Sequence, residues 1–271
     1  MPLVFTPGHG PSLPEPIRSP ADLARLRSGT DAAADLGYVG EAIRRTVAGL
    51  PGDIPCIGFC GAPFTLASYA IEGGGSRTFT RTKAFMYQEP AAWNALLERL
   101  VDALIPYLHS QVEAGATALQ IFDSWGGELS PADYGDFVLP HLRRLVSGLP
   151  STVPVIVFGT RTAHLLADFG ATGADVVGCD QMIPLSEAWD RAGGPGRVAI
   201  QGNLDPALLL GDRRRLLAQA RSVLEQASGR PGHIFNLGHG IIKETDPDMA
   251  KALVDFVHQT SAGHSRASSD L

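Results

Sequence analysis

The sequence of 271 residues holds only three cysteines, Cys56, Cys60 and Cys179, an odd number with no Cys-x-x-Cys spacing. That excludes a disulfide framework, and small buried thiols fit the pattern better. Basic residues are also few: 22 Lys and Arg face 28 Asp and Glu, a formal charge of −6, which leaves no cationic surface for nucleic acid. No apolar run approaches the roughly 20 residues of a membrane span, so no membrane partner is expected. Met1-Pro2-Leu3-Val4-Phe5-Thr6-Pro7 has neither the charged start nor the apolar core of a signal peptide, and the cytoplasm is the expected compartment. No Gly-x-Ser-x-Gly elbow surrounds Ser124, and no Gly-x-Gly-x-x-Gly follows a first strand. What remains, 44% hydrophobic with 31 Gly and 20 Pro, describes a turn-rich globular chain.

The opening segment from Val4 to Pro16 is dense in proline and glycine and reads as a loop. Ser19 then caps a short helix that Pro20 begins and that runs to about Arg27. A second helix is expected over Asp35 to Leu50, with Leu36, Val39, Ile43 and Val47 on one face. From Ile54 onward, apolar runs of strand length alternate with helical stretches. The runs are 55–59, 118–122, 153–158, 175–178, 197–201 and 233–237; the helices between and after them are 90–115, 131–149, 161–169, 184–191, 212–226 and 247–260. Strands that are apolar throughout, rather than at alternate positions, argue for a parallel sheet covered on both faces.

An open doubly wound sheet and a (β/α) barrel both fit six such units. Nearly every strand end carries glycine or a polar residue, and a barrel gathers all its strand ends on one face, so the barrel is favoured. A closed barrel of this kind has eight strands, and two are missing from the count. Residues 1–260 read as one domain; 261–271, small and polar, read as a disordered tail.

The organising stretch is Gly61 to Ser76. Gly61 ends a strand, Pro63 opens a helix containing Tyr69 and Glu72, and Gly73-Gly74-Gly75 closes it. Such a joint exposes backbone N–H groups where α/β proteins place their sites, although from composition alone an ordinary strand–turn–helix joint with Tyr69 in the core is the favoured reading. At the next strand end, alternation puts Ile121 and Asp123 on one side and Phe122 and Ser124 on the other. Ser124 can offer its hydroxyl to a carboxylate or cap the following helix. Asn203 or Asp205 can cap the helix begun by Pro206. His239, between Gly238 and Gly240, is placed for a mouth rather than a core. Asp180 can support the site or cap a helix. Arg161 can meet an anion or simply stand solvated at a helix start. Neither His164 nor His239 has a cysteine two residues away, so the pattern does not support zinc.

Together these residues resemble the uroporphyrinogen decarboxylase family of haem biosynthesis. The carriers are Gly58-Phe59-Cys60-Gly61-Ala62-Pro63-Phe64-Thr65-Leu66, then Tyr69 with Glu72-Gly73-Gly74-Gly75-Ser76, and Phe122-Asp123-Ser124-Trp125-Gly126-Gly127. Gln201-Gly202-Asn203-Leu204-Asp205-Pro206 and Asn236-Leu237-Gly238-His239-Gly240 complete them, in family order, to about Thr260. The resemblance implies a (β/α)8 barrel, a homodimer, and no metal or organic cofactor. It implies conversion of the four acetate side chains of uroporphyrinogen to methyls, giving coproporphyrinogen and CO2. It assigns Tyr69 and His239 to catalysis and Tyr69, Ser124 and His239 to substrate carboxylates and ring, with Phe59, Gly61 and Phe122 along the tetrapyrrole.

The family begins with two further strand–helix units, one carrying an Arg-Gln-Ala-Gly-Arg run and the other an aspartate in a Phe-Ser-Asp-Ile-Leu-like run. Neither occurs here, and the two units match the two strands missing from the count. The expectation is an opened barrel with two unpaired edges and negligible activity on its own. A start placed downstream of the true one explains it best, ahead of a separate N-terminal chain or a degenerate paralogue. A corrinoid-dependent methyltransferase of the same superfamily is the enzyme alternative, and an inactive porphyrinogen-binding remnant the non-enzyme one.

Overall fold

The structure, a computed structural model, describes residues 2–6, 10–27 and 29–267. The chain opens with an antiparallel ribbon, β1 (Val4–Thr6) against β2 (Gly10–Ser12), Val4 facing Ser12. This corrects the expected loop: Val4, Phe5 and Thr6 are good strand formers, and Pro11 is tolerated because a two-stranded ribbon has only edges. The rest of that loop, 7–9, lies outside the described residues. The helix expected after Ser19 is a 3₁₀ segment, Pro20–Arg25. Two α-helices follow, α1 (Gly29–Ala34) and α2 (Gly37–Gly49), the first without a counterpart in the sequence reading.

The centre is a parallel sheet of six strands: β3 (Ile57–Gly61), β4 (Ala118–Asp123), β5 (Val155–Gly159), β6 (Val176–Gly178), β7 (Ala199–Leu204) and β8 (His233–Leu237). Their spatial order is their chain order, every neighbouring pair parallel. A doubly wound sheet reverses at a switch point and a barrel winds one way, so the order settles the architecture as a run of barrel units. Among the described residues nothing pairs β8 with β3.

The register divides the strands into two faces. Cys60, Ile121, Val157, Val177 and Ile200 stand side by side and are buried beneath the helices. The adjacent rows turn to the concave side, where Phe59 is 60% exposed and Ile57 and Ile234 are also exposed. Gln201 on β7 donates to Gln120 on β4 at 3.4 Å. In a flat sheet these strands would stand about 14 Å apart, so the contact requires the sheet to curl.

The outer layer comprises α3 (Pro63–Glu72), α4 (Thr80–Gln88), α5 (Pro90–Glu113), α6 (Pro131–Phe137), α7 (Leu139–Ser147), α8 (Leu166–Gly170), α9 (Leu185–Ala192), α10 (Arg213–Ala227) and α11 (Pro247–Ala267). In α5, Trp93, Leu96, Leu97, Val101, Leu104 and Leu108 recur at helical spacing and are buried. The single helix expected over 131–149 is two, because Pro140 lies in the first turn of α7 and has no N–H to continue α6. Between α8 and α9 the backbones nearly touch: a Cβ on Gly170 would overlap the Ala192 carbonyl oxygen. The last helix passes the Thr260 limit and runs to Ala267, since extending a formed helix adds a bond per residue without a new nucleus. Residues 268–271 lie outside the described residues. No helix among the described residues is long and apolar enough to cross a membrane.

The open side of β3 is partly closed by a side chain. The Ala62 N–H bonds to Phe122 O of β4, so two-residue alternation turns the Phe59 N–H and C=O away from β4. Gln111 of α5 takes both: its Oε1 accepts from the Phe59 N–H at 2.8 Å and its Nε2 donates to the Phe59 carbonyl at 2.9 Å.

Cys60 and Cys179 are buried, and burial pushes both thiols up to about 12. Cys56 is only half-buried. Near neutral pH the native chain is therefore expected to give one thiol rapidly to an aromatic disulfide reagent, and all three only after unfolding. Rapid labelling of Cys60 or Cys179 by mass spectrometry in the folded protein would contradict this burial.

Candidate active site

The β3–α3 joint forms as the sequence suggests. Ala62 is the N-cap of α3, Pro63 stands in its first turn, and Gly73 ends it at φ 85° with its N–H on Tyr69 O. Phe64, Ala67 and Ile71 face the core, which leaves Tyr69 half-buried on the flank. Its ring lies against Trp125, centroids 4.1 Å apart, and Trp125 in turn packs on Phe79 at 4.8 Å. Tyr69 is thus held in an aromatic stack with Trp125 rather than in the core.

The turn after β4 is fixed by a buried carboxylate. Asp123 is fully buried on the helix side of the sheet, where Oδ1 accepts from Thr65 Oγ1 and Oδ2 from the Tyr134 hydroxyl, both at 2.8 Å. Thr65 belongs to α3 and Tyr134 to α6, so one side chain ties the strand end to both helices. Thr65 Oγ1 also receives the Trp125 N–H at 3.3 Å. Burial raises the pKa of Asp123, against the pull of the Thr65 and Tyr134 bonds, and burial holds the Tyr134 hydroxyl well above its ordinary value. Ser124 lies on the other side with Phe122, as alternation predicts. It caps no helix; Ser130 caps α6.

Five strand ends, those of β4 to β8, then lock together. Thr160 Oγ1 donates to Ser124 O at 2.6 Å. Gly127 lies so close to the end of β5 that a Cβ would stand 2.5 Å from Arg161 O and 2.7 Å from Thr160 O. The Arg161 N–H donates to the Asp180 carboxylate beyond β6, which also accepts from the Met182 N–H at 3.0 Å. Asn203 is buried and donates to the Asp180 and Ile183 carbonyls, while Asp205 does the capping, accepting from the Ala207 N–H. Gly238 packs on the Asp180–Gln181 backbone, a Cβ there falling 2.5 Å from Gln181 N, and this sets His239 at the mouth.

A cavity of about 520 Å³ results, lined by Ser76, Arg77, Ser124, Trp125, Arg161 and His239 among others. Ser124 and His239 share it, and Tyr69 stands one ring behind, against Trp125. Within the described residues no hydrogen bond engages the Tyr69 or Ser124 hydroxyl or the His239 ring. Phe59, Gly61 and Phe122 do not line this cavity. They sit on the concave face, where Phe59 meets Phe122 edge-on at 5.8 Å and Phe122 meets Phe158 at the same spacing. The helix expected from Arg161 is corrected: Arg161 takes φ 58°, a left-handed conformation, and α8 starts only at Leu166. The sequence reading did not single out Arg77, Phe79, Trp125 or Thr160, which line the cavity; the signals available were the Gly73-Gly74-Gly75 run before Arg77 and the place of Trp125 inside the motif that follows Phe122. A larger hollow of about 660 Å³, lined by Asp175, Arg197 and Gly232, lies at the opposite, N-terminal ends of the strands.

Comparison with known proteins gives the family. The profile of the uroporphyrinogen decarboxylase (URO-D) family matches residues 1–260. A uroporphyrinogen decarboxylase of Koribacter versatilis is 50% identical over 264 residues, covering 97% of this chain and 74% of the relative. One of Myxococcus xanthus is 51% identical over 251 residues, covering 92% of this chain and 71% of the relative. Among solved structures, a methyltransferase from Methanosarcina mazei superposes with a TM-score of 0.74 at 21% identity, covering 96% of this chain and 75% of that one, a likeness of fold alone. On the family match over residues 1–260 and relatives at about half identity, the chain belongs to the uroporphyrinogen decarboxylase family of carboxy-lyases.

Proposed function

We propose that Ser124, His239 and Tyr69 hold uroporphyrinogen and that the chain takes part in decarboxylating its acetate side chains to methyls, releasing coproporphyrinogen and CO2. The reading is carried by one observation: Ser124 and His239, unpaired, share a cavity whose Trp125 wall is stacked on Tyr69. The chemistry needs little besides a shaped, charged cleft. Protonating a pyrrole carbon beside the acetate turns the ring into an electron sink, and the C–CO2 bond then breaks without a cofactor; the exocyclic methylene left behind takes up a proton to become the methyl as the ring carbon gives its own proton back. Fixed donors around the cleft stabilise carboxylates and developing charge without reorganising. The Phe59, Phe122 and Phe158 rings offer an apolar floor to the macrocycle.

The proposal extends to assembly. A further strand-bearing segment, from a longer polypeptide or a separate chain, would complete the ring between β3 and β8, and two such units would associate as a homodimer. Turnover by these 271 residues alone is then expected to be negligible while binding persists. The test is an oxygen-free titration with uroporphyrinogen, read by tryptophan fluorescence, beside an assay for coproporphyrinogen. His239→Ala and Ser124→Ala should each weaken binding about tenfold, the worth of one charge-assisted hydrogen bond. Unchanged affinity in both variants would sink the assignment.

A further inference from the structure

The cavity holds two arginines that the assignment of Tyr69, Ser124 and His239 leaves without a role. Arg77 is exposed and has no ion-pair partner among the described residues. Arg161 points its guanidinium to the same cavity, 77% exposed, with only Glu128 near it at 3.5 Å. Its backbone is the more telling feature. Arginine at φ 58° occupies a region that favours glycine, and the surroundings enforce it: the Asp180 carboxylate takes the Arg161 N–H, and Gly127 lets the β4 turn press against the Arg161 carbonyl. A site that needed only the turn would be better served by glycine at 161. The cation is what the position keeps.

We infer that Arg77 and Arg161 form a carboxylate clamp at the mouth of the cavity, gripping side-chain carboxylates of the substrate while Ser124 and His239 hold others. The inference rests on the tetrapyrrole reading above and adds the residues that select for its charge. Guanidinium groups suit the task because their planar donors match a carboxylate's two oxygens. Glu128 is the resident anion, holding Arg161 until a substrate carboxylate replaces it and repelling other carboxylates meanwhile.

The experiment compares oxygen-free binding of uroporphyrinogen and of coproporphyrinogen, which has lost its acetate carboxylates, to the 271-residue chain and its variants. Arg161→Gly relieves the left-handed backbone and should fold at least as stably as the wild type, yet bind uroporphyrinogen about tenfold more weakly. Arg161→Lys should recover part of that loss, and Arg77→Ala should lose affinity to a similar degree. Glu128→Gln should bind more tightly, and Arg161→Gly and Arg77→Ala should discriminate less between the two porphyrinogens. A structural role for Arg161 alone would move the Tm without moving these affinities. If Arg161→Gly and Arg77→Ala bind like the wild type while His239→Ala does not, the clamp is wrong and the proposed function stands. If the wild type binds neither porphyrinogen, both fall.

Discussion

Replacing Asp123 with alanine is expected to destabilise the chain by about 4 kcal/mol, since it strands two buried hydroxyls at roughly 1–3 kcal/mol each and opens a cavity besides. The hydroxyls are those of Thr65 and Tyr134, each now 2.8 Å from the carboxylate. Asp123→Asn tests the charge separately from the bonds. An amide can accept from one hydroxyl and donate to the other, so the network survives. Burial raises the folded pKa of Asp123 above its unfolded value near 3.8. The folded state therefore keeps the proton longer than the unfolded one. The stability this group contributes is complete below the unfolded pKa and is lost as pH rises through the folded pKa. Asparagine has no proton to lose, so the Asn variant should gain on the wild type across that window and run parallel to it below. Urea denaturation over a pH series measures the difference. Parallel curves throughout would mean that the buried charge carries no cost.

Gly170→Ala should destabilise by about 3 kcal/mol, a fall in Tm on the order of 5–10 °C. Its Cβ would occupy the space of the Ala192 carbonyl oxygen, so the clash is with backbone. A flexible side chain could swing aside; two helix ends can only move apart, and both bury their apolar faces nearby through Phe169 and Trp189. Gly135→Ala is the matched control. It lies in α6 with no heavy atom within 4 Å of its Cβ position, and alanine there should stabilise by about 0.5–1 kcal/mol. Thermal denaturation of both variants by circular dichroism makes the comparison. Equal shifts would show that α8 and α9 are not packed as closely as described.

How far the sequence could be read depended on whether the signal was local. The strands of the sheet were legible because each is a short apolar run ended by glycine or a polar residue. Their parallel pairing followed from strands apolar throughout, and the one-way order from the polar and glycine residues at nearly every strand end; the register did not, since it depends on residues far apart in sequence. His239 stood out because the glycines on both sides leave it little to pack on, and Ser124 because it follows Phe122 at a strand's C-terminal end. Trp125 and Arg77 did not, because their roles come from Tyr69, Phe79 and the cavity, which only the fold assembles. Nothing local announces that Arg161 leaves the helical region; the Asp180 carboxylate and the Gly127 backbone, distant in sequence, hold it there. The break at Val138 was visible in Pro140 and outweighed by the apolar pattern running through it.

The Gln111 amide gives the incomplete ring a latch. By answering both polar groups of Phe59 it imitates, for one residue, the neighbour that an outer strand would normally have. Casual stacking of one molecule on the next therefore gains little at that position. A segment meant to join there has to evict the glutamine, and only one offering bonds along the whole length of β3 comes out ahead.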